Sequence, residues 1–212
     1  VAFSGGSVLV NEELEKIGPA RRQLFEQLMP PLKIAGKAVD MFEDNQPSAA
    51  IIKVDNNTSF LALYNYSDSM CNVDFDLCRV GMENSLIIKC WEKQIIGISD
   101  KIHEENVNPH SVMMYMLKKI SREIIDKPQF LFSDVNLCLG INVFSDEYDA
   151  ENARLNVVCK DEFKQFLACD TSVYAIYPDG FCISDDAEVV SDYVYVSDDR
   201  LSQVGFRVVK LK

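Results

Sequence analysis

Ala49-Ala50-Ile51-Ile52-Lys53-Val54 runs into Asp55-Asn56-Asn57 and then into Ser59-Phe60-Leu61-Ala62-Leu63-Tyr64-Asn65-Tyr66. Two β-rich runs joined by a short Asp/Asn cluster predict a hairpin, because those turn residues tolerate backbone conformations that strand residues avoid. The pattern repeats outward from this pair. Val73, Phe75 and Leu77 alternate with Asp74 and Asp76, the mark of a half-buried strand. Ser85 to Trp91 and Ile95 to Ile98 follow. After Asn108-Pro109-His110, the run Ser111 to Leu117 is apolar enough for a strand buried on both faces. Strands this short, about ten residues apart with turns between them, predict a mainly β chain built as an antiparallel sandwich.

The second half has the same texture. Phe130 to Val135, Leu137 to Phe144, Leu155 to Cys159, Ser172 to Tyr177, Val189 to Val196 and Val204 to Leu211 read as strands, with Asp161 to Leu167 as one helical turn. The opening differs. Val1-Ala2-Phe3-Ser4-Gly5-Gly6-Ser7-Val8-Leu9-Val10 reads as a buried strand entering a Gly-Gly turn, with no initiator Met and no polar leader. The expectation is that this strand completed something larger. Asn11 suits an N-cap, and Glu12 and Glu13 put negative charge on the first helical turn. Gly18-Pro19 interrupts the helix and Pro19 restarts it. Leu24, Phe25 and Leu28 recur at helical spacing until Met29-Pro30-Pro31 ends it. The expected organisation is a strand and helix over 1–31, a β-sandwich over 32–120, and a second β segment or sandwich extension over 121–212.

The 212 residues are 48% hydrophobic, ample for a core. The formal charge is −12, and neither half, divided at Ile120, is basic. A nucleic-acid partner is therefore not expected. The seven cysteines, Cys71, Cys78, Cys90, Cys138, Cys159, Cys169 and Cys182, are scattered and form no CxxC pair. An odd number of them, mostly inside apolar stretches, suits buried thiols in a reducing compartment, so a cytoplasmic location is expected. No run approaches the ~20 apolar residues needed to span a bilayer. Asn56-Asn57-Thr58, Asn57-Thr58-Ser59 and Asn65-Tyr66-Ser67 are formal glycosylation sequons.

Candidate chemistry is sparse. Asp74 and Asp76 share a strand face, but glycosidase carboxylate pairs stand ~5–10 Å apart across a cleft, usually on different strands. A solvated sandwich face is the simpler reading. Asp185-Asp186 and Asp198-Asp199 lack further oxygen ligands at a recognisable spacing for a hard cation. His110 has no triad partner in sequence, and its ring is expected to bond backbone in a tight turn. Trp91 suits either the core or sugar stacking. Ser4-Gly5-Gly6-Ser7 lacks the Lys of a P-loop and the third Gly of a dinucleotide fingerprint. No metal and no cofactor is expected.

The order of features resembles a known family. Ser4-Gly5-Gly6 before Val8-Leu9-Val10, then Leu14-Glu15-Lys16 and Leu28-Met29-Pro30-Pro31-Leu32, is similar to the C-terminal part of melibiase-type α-galactosidases. That glycoside hydrolase superfamily includes raffinose-synthase-like enzymes. Val39-Asp40-Met41-Phe42-Glu43 with Pro47 resembles the start of the family's C-terminal β domain. Leu61-Ala62-Leu63-Tyr64-Asn65-Tyr66-Ser67-Asp68 resembles one of its strands. Phe75-Asp76-Leu77, Trp91-Glu92 with Gly97, and Pro109-His110-Ser111-Val112 fall in the family's order. The resemblance covers residues 1–117 and is less specific beyond them.

The resemblance implies a TIM-barrel parent, with Val1 to Val10 as its last strand and Asn11 to Met29 as its last helix region. Active sites of such barrels lie at the C-terminal strand ends. The family's aspartate nucleophile and acid/base sit on earlier strands, so no residue of this chain inherits those roles. Ser4, Gly5 and Gly6 would line the edge of the sugar pocket. The implied function is a non-catalytic C-terminal β region packed on the barrel of a retaining glycoside hydrolase. The implied partners are that barrel and, for the parent, an α-galactoside, with a homo-oligomer also open. One alternative is a carbohydrate-binding module that stacks a sugar on Trp91, Tyr64 or Tyr66. The other is a protein-interaction domain unrelated to sugars.

Overall fold

A computed structural model describes residues 16–28, 34–43, 46–121, 123–134, 143–159, 171–196 and 203–211. The chain forms two compact units, Val1–Lys119 and Ile120–Lys212. It is mainly β, and every described strand pair is antiparallel. The described strands form open sheets and no barrel.

The first unit contains helix α1 (Pro19–Leu28). Its strands are β1 (Lys37–Ala38), β2 (Ala49–Lys53), β3 (Thr58–Asn65), β4 (Cys71–Asp76), β5 (Ser85–Lys89), β6 (Gln94–Ser99), β7 (Lys101–Val107) and β8 (Ser111–Lys119). Pro19 takes the first helical position, where its missing N–H is one the helix would leave unpaired. The Arg22 N–H donates to the Gly18 carbonyl at 3.1 Å, closing the first turn. Asn11 to Glu15, expected as the preceding helical piece, lie outside the described residues.

Strands β1-β2-β3-β8-β5-β6 make a six-stranded sheet, and β4-β7 make a two-stranded ribbon. The β2–β3 hairpin is registered with Ile51 opposite Leu61 and Ala49 opposite Leu63. Its turn is closed by Asp55, whose Oδ1 accepts from the N–H groups of Asn57 (2.6 Å) and Thr58 (2.7 Å). Side chains alternate across a strand, so Ala49, Ile51, Leu61, Leu63, Ile87, Tyr115 and Leu117 fall on one face. Against that face pack Phe75 and Ile102 of the ribbon, with Leu77, Val80 and Met82 of the link that follows β4. The opposite face is buried too, through Phe60, Ala62, Leu86, Ile88, Met114 and Met116. Burial on both faces explains why β3, β5 and β8 read as continuous apolar runs rather than as alternations.

The link after β4 is a 3-10 turn, Leu77–Val80. Asp76 caps it by accepting from the Cys78 N–H at 3.1 Å. Gly81 ends it at φ 69, a left-handed conformation that glycine adopts without a Cβ clash.

The second unit contains β9 (Gln129–Ser133), β10 (Val143–Asp149), β11 (Arg154–Cys159), β12 (Val173–Pro178), β13 (Glu188–Val196) and β14 (Gln203–Leu211). These form a four-stranded sheet, β13-β14-β12-β9, and a β10-β11 ribbon. Leu155, Ala175, Tyr177 and Val209 form a core flanked by Tyr148, Val157, Phe181, Ile183, Ala187 and Leu211. Leu137 to Asn142 of the strand expected over Leu137 to Phe144, and the expected helical turn Asp161 to Leu167, lie outside the described residues. Among the described residues no helix is long and apolar enough to cross a membrane.

Cysteine placement corrects one expectation. Cys90 is buried, but the Cys78 and Cys182 thiols are exposed and Cys71 is half-buried. Cys78 lies on the outer side of the 3-10 turn whose Leu77 and Val80 enter the core, and Cys182 lies in the loop after β12.

Candidate functional site

Trp91 stands in the Cys90–Lys93 loop of the β5–β6 hairpin. Lys93 adopts φ 53, which lets a short loop reverse the chain. The Cys90 N–H donates to the Met114 carbonyl at 2.9 Å and ties the start of this loop to β8. Trp91 is half-buried there, at the wall of a cleft of about 230 Å³ whose other side is formed by the end of β7 and the start of β8.

The β7–β8 turn is held from beneath. Asn65, 3% exposed at the end of β3, donates through Nδ2 to the carbonyls of Ser69, Val107 and Asn108, each at 3.0 Å. Its Oδ1 accepts from the Ser67 N–H at 3.0 Å and the Ser67 hydroxyl at 2.7 Å. This sequon asparagine is therefore consumed by structure. His110, at φ 50 in the same turn, places Nε2 2.9 Å from Asp68 Oδ1. The expected backbone partner is replaced by a carboxylate on the neighbouring loop.

Inside the cleft, Lys89 Nζ lies 2.7 Å from Glu104 Oε1, with side chains only 27% and 19% exposed. Tyr115 lines the same space, and its buried hydroxyl has no hydrogen-bond partner. Burial, with the Glu104 carboxylate beside it and Glu92 further off, pushes the Tyr115 phenol far above its ordinary range. Glu92, Glu105, Asn106, Asn108 and Ser111 complete the polar lining.

Tyr64 and Tyr66 are stacked, with ring centroids 5.3 Å apart and planes 10° from parallel. They do not line the Trp91 cleft. Tyr64 alternates with Leu63, so it faces away from the core that Leu61 and Leu63 enter. The three aromatic rings singled out from sequence thus fall in two separate places, and only Trp91 borders a cleft. Ser4, Gly5 and Gly6 lie outside the described residues.

Asp74 and Asp76 each have a local partner. Asp74 Oδ1 is 2.6 Å from His103 Nδ1, and the Glu105 carboxylate is 3.4 Å from the other ring nitrogen. The Asp74 and Glu105 carboxylates hold the His103 pKa above its ordinary value. Hydrogen bonds from Cys78 hold the Asp76 carboxyl below the usual range. Asp186 lies 3.4 Å from Arg154 Nη2, while Asp198 and Asp199 are outside the described residues. No group of three His, Cys, Asp or Glu residues suited to a metal ion occurs among the described residues.

What sequence reasoning missed is the convergence of Lys89, Glu92, Glu104 and Tyr115 on Trp91. These residues come from β5, the loop after it, β7 and β8, and no local spacing announces their meeting.

No protein-family model matches this chain. No curated protein matches it either. Solved structures are similar to parts of this chain. A candidate α-N-acetylgalactosaminidase of Bacillus halodurans is 24% identical over 36% of this chain and 20% of that chain, with a TM-score of 0.32. A GH27 β-L-arabinopyranosidase of Geobacillus stearothermophilus is 19% identical over 40% of this chain and 19% of that one, with a TM-score of 0.33. α-Galactosidase I of Mortierella vinacea is 15% identical over 40% of this chain and 23% of that one, also at 0.33. The matched part of this chain is thus under a quarter of each neighbour's length.

Proposed function

We propose that this chain is the non-catalytic C-terminal β region of an α-galactosidase-like retaining glycoside hydrolase, with the task of packing on the catalytic barrel. The supporting observation is the ordered set of motifs spread over consecutive elements of the first unit. The earlier motifs of the set, from Ser4 to Leu32, fall largely outside the described residues; within the described residues stands Asp40, whose buried carboxylate accepts from the Ser48 N–H at 2.8 Å and the Ala49 N–H at 3.1 Å, fixing the start of β2. Leu61 to Asn65 is the central strand β3. Phe75-Asp76-Leu77 ends the ribbon strand and opens the 3-10 turn. Trp91-Glu92 makes the β5–β6 loop, and Pro109-His110 makes the β7–β8 turn. Each motif thus holds a structural position, as expected of residues that shape a β domain rather than perform chemistry.

In this reading the partner is the barrel of the same protein, and the parent acts on an α-galactoside. Sequencing the coding region upstream of Val1 tests the proposal. The expected result is a reading frame with barrel periodicity and two aspartates at strand ends. An unrelated upstream domain, or none, overturns it.

A further inference from the structure

The cleft beside Trp91 carries more negative charge than its own contacts use. Lys89 is the one basic residue among those lining it, and its ammonium is spent on Glu104 at 2.7 Å. Glu105 meets His103 Nε2 at 3.4 Å, a partner that carries charge only when protonated. Glu92 is exposed and makes no ion pair among the described residues. At neutral pH the lining therefore keeps uncompensated carboxylate charge next to an indole ring.

Beneath these groups lies Tyr115, only 1% exposed, whose hydroxyl sits beside the Glu104 carboxylate without forming a well-aligned hydrogen bond. A buried unpaired hydroxyl costs free energy in the empty cleft and regains it when a ligand supplies the missing bond. Its phenol stays protonated at any working pH, because burial and the neighbouring carboxylates oppose ionisation. The hydroxyl therefore keeps its lone pairs available to an N–H donor.

We propose that this cleft binds a small organic ammonium ion, with the cationic head between the Trp91 ring and the Glu92 carboxylate and the Tyr115 hydroxyl at its floor. An aromatic face attracts a cation through its quadrupole, and Trp does so best. Adjacent carboxylates add Coulombic attraction that an acidic protein of net charge −12 extends outward. A neutral polyol would gain from the ring and the amides but would leave the excess charge unused. A metal ion would need three converging ligands, and no such group is present among the described residues. The volume of about 230 Å³ limits the ligand to a small molecule or the tip of a side chain. This inference stands apart from the proposed structural role and survives if that role fails.

The chain has a single Trp, so its fluorescence reports on this cleft alone. The full chain is titrated with n-butylammonium chloride and with tetramethylammonium chloride, against sodium chloride at matched ionic strength. The expected result is a saturable change in Trp emission with both ammonium salts and none with sodium chloride. Glu92→Gln should weaken the apparent affinity about fivefold, as for a charge contact of an exposed site. Its thermal melting should match the parent's, since Glu92 holds no ion pair. The proposal is overturned by an equal response to n-butanol or galactose, by no saturable response, or by unchanged affinity in Glu92→Gln.

Discussion

Asn65 spends its whole side chain on backbone. Its amide donates to three carbonyls drawn from two loops, and its carbonyl oxygen accepts from Ser67. Removing it strands the Val107 carbonyl in a buried setting, and an unpaired buried polar group costs about 1–3 kcal/mol. Asn65→Ala should therefore destabilise the chain by about 2 kcal/mol in urea unfolding. A loss near zero would mean that water replaces the amide without cost. Asp40 works similarly at the same end of the β2–β3 pair, where it holds Ser48 and Ala49. Burial opposes its ionisation, but hydrogen bonds from the Ser48 hydroxyl and the Ala49 and Ser48 N–H groups outweigh that and hold its pKa below the ordinary range. In sequence Asp40 and Asn65 stand out only as members of motifs, with no sign of the bonds they make. Asn65 finds its partners only when β3 and the end of β7, 42 residues apart, come together.

Among the elements, the β4–β7 ribbon is the place where charge and strand pairing meet. Asp74 is registered directly opposite His103, and Glu105 lies two residues along β7. Lys101 approaches Asp76 at 3.9 Å on the same ribbon. The His103 pKa is raised in the folded state, so its contribution is fully present below the unfolded value, ~6.5. It is lost as pH rises through the higher folded value. An NMR titration of the His103 ring should give a midpoint above that of a free histidine, and Asp74→Asn should lower it. A midpoint unchanged by Asp74→Asn would remove the carboxylate as the cause. This ribbon also marks what sequence could and could not reveal. Strands β2, β3, β5 and β8 were legible because burial on both faces demands apolar runs. Strand β7 was not, since Lys101, His103, Glu105 and Asn106 all face solvent and only Ile102 and Val107 are buried. The polar stretch Ser145 to Asp149 of β10 escaped for the same reason, its pairing with β11 being carried by backbone. Trp91 was legible as a candidate ring. Its cleft was not, because four separate segments build it.

For the whole molecule, the decisive question is whether the chain can hydrolyse a glycoside unaided. Glycoside hydrolysis needs two carboxyl groups ~5–10 Å apart on either side of the scissile bond, one of them free to give or take a proton. The acidic residues that sequence brought forward do not meet that requirement. Asp74 faces His103 and Asp76 caps the 3-10 turn, both on the outside of one ribbon. In the Trp91 cleft, Glu104 is held by Lys89 and Glu105 points toward His103, which leaves Glu92, among the described residues, as a single unpaired carboxylate where two are needed. The purified chain should accordingly release no nitrophenolate from p-nitrophenyl α-galactoside above the buffer rate, at any pH from 4 to 8. Turnover that disappears in Glu104→Gln would overturn this conclusion and make the cleft itself a hydrolytic site. Turnover untouched by that substitution would trace to a contaminating enzyme and leave the proposed non-catalytic role standing. The same assay therefore decides whether the charge beside Trp91 serves binding or catalysis.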